Sequence, residues 1–196
     1  MRIIDFTGQE NIRSEGHTSK GDQPKWKQAG NWYKADHMRY EALSEIIVSR
    51  LLAWSDADDF VSYQPVRIHY NGKVVSGCSS RDFMRKGEML IPFERLHRAY
   101  EGRGLAQALT KFDSPADRIA YTVGFVERVT NLTGVGAYLT AILELDCLTL
   151  NEDRHTNNLA VLRNEETKEF RLCPIFDNGL SLLSDLNDYP LTDDLY

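Results

Sequence analysis

Cysteine is scarce. Cys78, Cys147 and Cys173 are the only three in 196 residues, and no two of them form a CxxC pair. An odd, scattered set excludes a disulfide framework and a cysteine-built zinc site, and it fits a reducing compartment. A cytoplasmic protein is therefore expected, with secretion as an effector left open. Excess positive charge is lacking too. The formal net charge is −6, so direct binding to nucleic acid is not expected, since such domains are usually basic. A nucleotide remains admissible, because one lysine, metal ions and backbone amides can meet its charge locally. No run approaches the ~18 apolar residues that span a bilayer. The opening MRIIDFTGQENIRSEG has no signal-peptide core, and no basic stretch suits a membrane surface. Internal repeats and low-complexity tracts are also missing.

What is present suits one generous domain or two small lobes. A chain of this length can bury roughly 70% of its unfolded surface. The first third reads as short strands separated by turns, with strands expected at Arg2–Phe6, Trp32–Ala35, Val66–Tyr70 and Lys73–Gly77. The intervening GHTSKGDQPKWKQAGN is too polar for core and too rich in turn residues for a helix. Leu43, Ile46, Ile47, Arg50, Leu51 and Trp54 follow helical spacing, which predicts one amphipathic helix from about Arg39 to Trp54. Beyond Phe83 the pattern turns helical, over Pro92–Tyr100, Leu105–Phe112, Ser114–Leu132 and Gly136–Leu148. Ser114 and Pro115 make a good helix start, as cap and first position. A hairpin, Leu159–Arg163 and Glu169–Leu172, follows. Met84–Glu88 reads as a solvated turn, and Trp26, Trp32 and Trp54 read as packing residues.

The densest polar cluster lies in LTLNEDRHTNNLAVL, where Asn151–Asn158 must be a loop between a leucine-rich helix and a strand. Some fifteen residues on, CPIFDNGL sets Asp177 at the end of an apolar stretch, before Asn178-Gly179. Phosphoryl transfer needs such a set. Asp153 can orient an attacking hydroxyl and accept its proton. Asp177 and Asn158 can offer an anionic and a neutral oxygen to magnesium. The Asp153 to Asn158 spacing matches that between the catalytic-loop aspartate and the metal-binding asparagine of protein kinases. The bland alternative is a capped turn whose side chains bond local backbone. A transition-metal site on Glu152, Asp153 and His155 lacks a second histidine–carboxylate cluster nearby.

The segments DRHTNNLAVL and PIFDNG resemble the catalytic loop and metal-binding motif of HipA-like serine/threonine kinases. With the opening RIIDFT, they look closest to the CtkA-type kinases. The resemblance implies an α+β, bilobal protein-kinase-like fold. Residues 1–85 would form a β-rich N-lobe with one helix, and residues 86–196 a helical C-lobe that looks truncated beside the family. ATP and Mg2+ are the implied cofactors. Carried over by position, Asp153 matches the catalytic aspartate, Asn158 the metal asparagine, Asp177 the metal aspartate, and His155 a supporting loop histidine. His155 also reads as a structural loop residue without ligand contact.

Lys34 then falls where such kinases place the lysine that grips the α- and β-phosphates. Its implied partner is Glu45 on the following helix, with Glu41, one turn earlier on the same face, left open. Gly16–Lys25 would cover the phosphates, with Gly16, Thr18, Ser19 and Gly21 near them. The linker VVSGCSSRDFM would be the hinge for adenine, with Ser79 and Phe83 as contacts.

The expected activity is transfer of the γ-phosphoryl group of ATP to a serine or threonine hydroxyl of a protein substrate. Three alternatives stand beside it. One is a nucleotide-binding module without catalysis. Another is a toxin-type kinase completed by an antitoxin-like partner. The third is a lipid or small-molecule kinase, since phosphoinositide kinases share a related DRH loop. Ser14, Thr18 and Ser19 also make autophosphorylation an expectation. Protein incubated with ATP and magnesium should gain phosphate on the peptide that holds them, and an unmodified peptide in the mass spectrum would count against it.

Overall fold

The computed structural model describes residues 2–12 and 23–190. The chain forms two compact units. The first contains Met1–Phe83, Asp146–Asp153 and Phe176–Tyr196, and the second contains Met84–Leu145 and Arg154–Ile175. Two late stretches thus group with the early part of the chain, so a single break near residue 85 does not describe the division.

The first unit is built on strands β1 (Ile3–Asp5), β2 (Lys25–Gln28), β3 (Asn31–Ala35), β4 (Gln64–Tyr70) and β5 (Lys73–Arg81), with helix α1 (Glu41–Leu52) inserted after β3. Their order in the sheet is β1-β4-β5-β3-β2. Only β1 runs parallel to its neighbour, β4, and the other pairs are antiparallel. Asn71 and Gly72, both at positive φ, close the two-residue turn between β4 and β5. That backbone twist suits tight hairpins and explains why Asn-Gly is found there. Alternation along the strands sends Ile4, Phe6, Trp26, Tyr33, Ala35, Val66 and Ile68 into one apolar layer. Within it the rings of Phe6 and Trp26 stack at 4.8 Å. Lys34, between Tyr33 and Ala35, faces the opposite side. Gly77 has no room for a side chain, because a Cβ there would lie 2.6 Å from the Lys34 carbonyl oxygen and from an Ile68 methyl. Its bare backbone lets β3 lie close to β5.

The second unit contains β6 (Glu88–Pro92), α2 (Phe93–Glu101), α3 (Leu105–Leu109), α4 (Pro115–Thr130), α5 (Val135–Thr149, its last turn grouped with the first unit), β7 (Ala160–Asn164) and β8 (Phe170–Leu172). The strands form one antiparallel sheet in the order β6-β7-β8. Ser114 caps α4 by accepting from the Ala116 N–H, Pro115 takes the first position, and Asn131 ends the helix in the left-handed region. Ile91, Phe93, Leu96, Leu105, Phe125, Val126, Val135, Leu139 and Val161 form the core of this unit.

Several local expectations are corrected. The polar stretch before residue 31, expected to be too polar for core, contains strand β2, while Trp26 within it packs as expected, at 3% exposed. Trp54, expected to pack, is 85% exposed. The Val74–Met84 segment is mostly strand, because β5 continues to Arg81 and pairs with β3 and β4. α1 also turns its face contrary to hydropathy. Glu41, Ser44, Glu45 and Ser49 are buried, while Leu43, Ile47 and Leu51 are exposed. Glu88 is not part of a solvated turn but begins β6, with its side chain 6% exposed. Both its oxygens accept from Arg171, each at 2.8 Å, and one also accepts from the Arg85 N–H at 2.8 Å.

Those bonds, led by Arg171, hold the Glu88 carboxyl down to about 2 from its ordinary 4.5. Because the folded value is depressed, the stabilisation is present above 4.5 and is lost as pH falls toward 2. Glu88→Ala should destabilise the protein by about 2 kcal/mol at pH 7, as expected for a charged hydrogen-bond partner removed from a sheltered site. Thermal melts should show that difference shrinking as the pH is lowered from 4.5, and a constant difference would contradict it.

Candidate active site

Strand β3 brings Lys34 beneath α1, paired across the sheet with Cys78 on β5. Glu45, in the second turn of α1, is 0% exposed. The Lys34 Nζ donates to Glu45 Oε1 at 2.5 Å and to Asp177 Oδ1 at 2.7 Å. Glu45 uses its second oxygen as well, accepting from the Asn178 N–H at 2.9 Å. One buried carboxylate therefore grips both the lysine and the backbone beside the aspartate. Asp177 has φ 64, a left-handed conformation that aspartate tolerates better than most residues. Its side chain is 38% exposed. The Lys34 ammonium also lies 5.5 Å from the Tyr63 ring centre.

The electrostatics follow from this packing. Burial works against the charge of Lys34, but the carboxylates of Asp177 and Glu45 offset it and hold the ammonium well above its ordinary range. Burial pushes Glu45 up, opposed chiefly by the lysine charge. Taken as fully ionised, the trio carries one positive and two negative charges. Asp177 is the more exposed of the two acids.

Glu41 is engaged elsewhere. Its Oε1 accepts from the N–H groups of His37 and Met38 at 3.0 and 2.6 Å. Ser44, which sequence reasoning did not single out, binds the stretch after Asp177 instead. Its hydroxyl lies 2.9 Å from both the Asn178 and Ser181 carbonyl oxygens. Nothing in its residue type or spacing announces that role, because both acceptors are backbone atoms more than 130 positions away.

Asp153 is half-buried at the end of a turn closed by Asn151. The Asn151 Oδ1 accepts from the Asp153 N–H at 3.1 Å, and its Nδ2 donates to Asp146 Oδ1 at 2.9 Å. The Asp153 loop and the segment after Asp177 are joined by the bonds Glu152 N–H to Leu180 O at 3.1 Å and Leu182 N–H to Thr149 O at 2.7 Å. Thr149 and Ser181 add a hydroxyl contact at 3.3 Å. Asn151 and Asp146 are thus supports that the motif spacing does not reveal.

His155 and Asn158 lie in the second unit. The His155 carbonyl accepts from the Asn158 N–H at 2.9 Å, and its Nδ1 accepts from the Asn157 N–H at 3.3 Å. Asn158 is buried. Glu94 anchors this loop, taking bonds from the Thr156 hydroxyl and the Ala106 N–H, both at 2.8 Å.

Among the other expected contacts, Gly16, Thr18, Ser19 and Gly21 lie outside the described residues. Ser79 sits within β5, opposite Tyr33 and Gln64. It lines a cavity of about 360 Å³ with Asn31, Ser62, Ser80 and Arg81, and none of Lys34, Glu45 or Asp177 borders that space. Phe83 packs on Phe176, with ring centres 5.8 Å apart. Among the described residues no group of three or more histidine, cysteine or acidic side chains could hold a metal ion by itself, and no helix is long and apolar enough to cross a membrane.

No protein-family model and no curated protein matches this chain. Among solved structures it is similar to the crystal structure of a Helicobacter pylori proinflammatory kinase, CtkA. The match covers 95% of this chain and 63% of that one, at a TM-score of 0.60 and 22% identity. That likeness shows the fold, which is α+β, bilobal and protein-kinase-like.

Removing Glu45 leaves Lys34 short of a partner and strands the Asn178 N–H. Glu45→Ala should therefore cost about 3–5 kcal/mol, while the apolar double replacement Lys34→Met with Glu45→Leu should recover only the part that comes from the lysine, since the Asn178 N–H stays stranded. Chemical denaturation checks both. An Ala variant as stable as the parent would show that the buried pair contributes nothing.

Proposed function

We propose that this chain is an ATP- and magnesium-dependent kinase that transfers the γ-phosphoryl group to a serine or threonine hydroxyl of a protein. The observation that carries this reading is the Lys34 ammonium held between Glu45 and Asp177 at 2.5 and 2.7 Å. An ammonium has three donors. Two are taken by carboxylates, and the third is available to a phosphate oxygen. The donor chemistry at Asp177 fits the metal, because a partly exposed carboxylate is a hard oxygen ligand of the kind magnesium takes. The kinase-like fold and the resemblance at the two motifs support the same conclusion.

Each residue then has a defined task. Glu45 fixes the lysine, so that the phosphates meet a charge already in position and little reorganisation is needed. Asp177 supplies an anionic oxygen to the metal, and the motif resemblance assigns Asn158 the neutral one. ATP with magnesium supplies, when bound, the transferable group and the cation that balances its charge. Asp153 accepts a hydrogen bond from the acceptor hydroxyl, aims it, and takes its proton as the hydroxyl attacks. The turn built by Asn151 and Asp146 holds that aspartate in place.

Asp153→Asn and Asp177→Asn, each checked for retained fold by circular dichroism, should lower transfer from labelled ATP by roughly 10²–10⁴-fold. A protein acceptor such as casein and phosphoinositide vesicles should be offered side by side. Undiminished labelling by both variants would sink the mechanism, and labelling of lipid alone would reassign the acceptor.

A further inference from the structure

The kinase reading uses Glu45 and Lys34 but leaves two acids beside them unexplained. Asp36 follows the last residue of β3. Its N–H donates to the Ser76 carbonyl at 2.9 Å, which extends the contact with β5 by one residue. Its Oδ1 accepts from the Ala42 N–H at 2.7 Å. That N–H belongs to the first turn of α1, whose amides lack intrahelical partners, and Tyr40 at the cap position offers no side-chain bond. Asp36 therefore caps the helix from the strand. Glu41 completes the fastening by accepting from the His37 and Met38 N–H groups. It is 4% exposed, and its second oxygen is buried without a hydrogen-bond partner.

We propose that Asp36 and Glu41 are positioning residues for the transfer reaction, a proposal that rests on the kinase reading above. Together they tie the end of the lysine strand to the start of α1, and protonation of Asp36 slackens the tie so that transfer falls in acid. Glu45 lies one helical turn beyond Glu41. A first turn that drifts carries Glu45 away from Lys34, two residues before Asp36 on the strand side. An ionised carboxylate accepts an N–H roughly twice as strongly as a neutral one, so the tie is tightest when Asp36 is charged.

The surroundings place this change in the physiological range. Burial, with the Glu41 charge adding to it and the Ala42 N–H opposing it, pushes Asp36 up to about 7. The other ionisable groups that share its field are Tyr70 on β4 and Cys78 on β5, both pushed up and so uncharged near neutrality. His37, next in sequence, is exposed. The charge that opposes ionisation at neutral pH is therefore that of Glu41.

A purely structural carboxylate would move stability and activity together. Here they run in opposite directions. The folded chain holds the Asp36 proton more tightly than the unfolded chain does, so stability falls as pH rises from about 4 to about 7. Transfer rises through the upper part of the same window.

The test compares the parent with Asp36→Asn, which still offers Ala42 an acceptor oxygen and removes a poorly solvated charge, so folding is favoured. In the parent, transfer should increase about tenfold between pH 6 and 8, as one titration near 7 requires. Asp36→Asn should hold a flat, low profile and melt higher than the parent above pH 7. Hydrogen-exchange protection at the Ala42 amide, corrected for intrinsic exchange, should drop below pH 7 in the parent only. Matching pH profiles, or protection that is constant across this range, would overturn the proposal. If neither protein transfers phosphate, the amide decides alone. A drop in protection upholds the tie while the kinase reading fails by itself, and constancy sinks the tie.

Discussion

The arrangement depends on one lysine that cannot be hydrated in the ordinary way. Lys34 lies beneath α1 with its charge intact because Glu45 and Asp177 both reach it. Glu45, fully buried, would be hard to keep charged without the ammonium. The three side chains come from a strand, a helix and a loop separated by up to 143 positions, so their meeting fixes the relation of those elements more firmly than apolar contact alone. The Gly77 backbone serves the same end from below, letting β3 approach β5 closely at the level of the lysine.

That demand explains why α1 defies its hydropathy. A helix placed by apolar burial would turn Leu43, Ile47 and Leu51 inward. Here the inward face carries Glu41, Ser44, Glu45 and Ser49 beside Ala42, Val48 and Leu52, and all four polar residues have bonds that account for it, Ser49 by accepting from the Tyr63 N–H at 3.3 Å. Glu45 holds Lys34 and Asn178, Ser44 sits against the Asn178 and Ser181 carbonyls, and Glu41 closes the turn before the helix. Local polar bonding overrides the periodic signal, which is expected where function sets the packing.

The parts legible in the sequence are those with local signatures. The capped start of α4 and the loops carrying Asp153 and Asp177 announce themselves within a few residues. What stayed hidden depends on distant partners. Strand β2 offers one apolar residue, Trp26, among lysines and glutamine; its packing is legible, but the strand is not, and the stacked Phe6 ring is what places it in the core. Glu88 reads as solvated until Arg171, 83 positions away, is placed against it. Glu41 and Glu45 share a helical face, so spacing leaves both open as the lysine's partner. The capping bonds of Glu41 to the turn before α1 are what set them apart. Ser44 and Asn151 act through backbone and amide contacts that no motif encodes.

Leu43, Ile47 and Leu51 lie along the exposed side of α1, while Ala42, Val48 and Leu52 share the inward face with Glu45. The apolar residues are thus divided between the two sides, and rolling the helix would expose Val48 and Leu52 as well as withdraw the carboxylate from the lysine. Two kinds of contact hold the same rotational setting, so a change that neutralises the lysine loosens one hold and leaves the other in place.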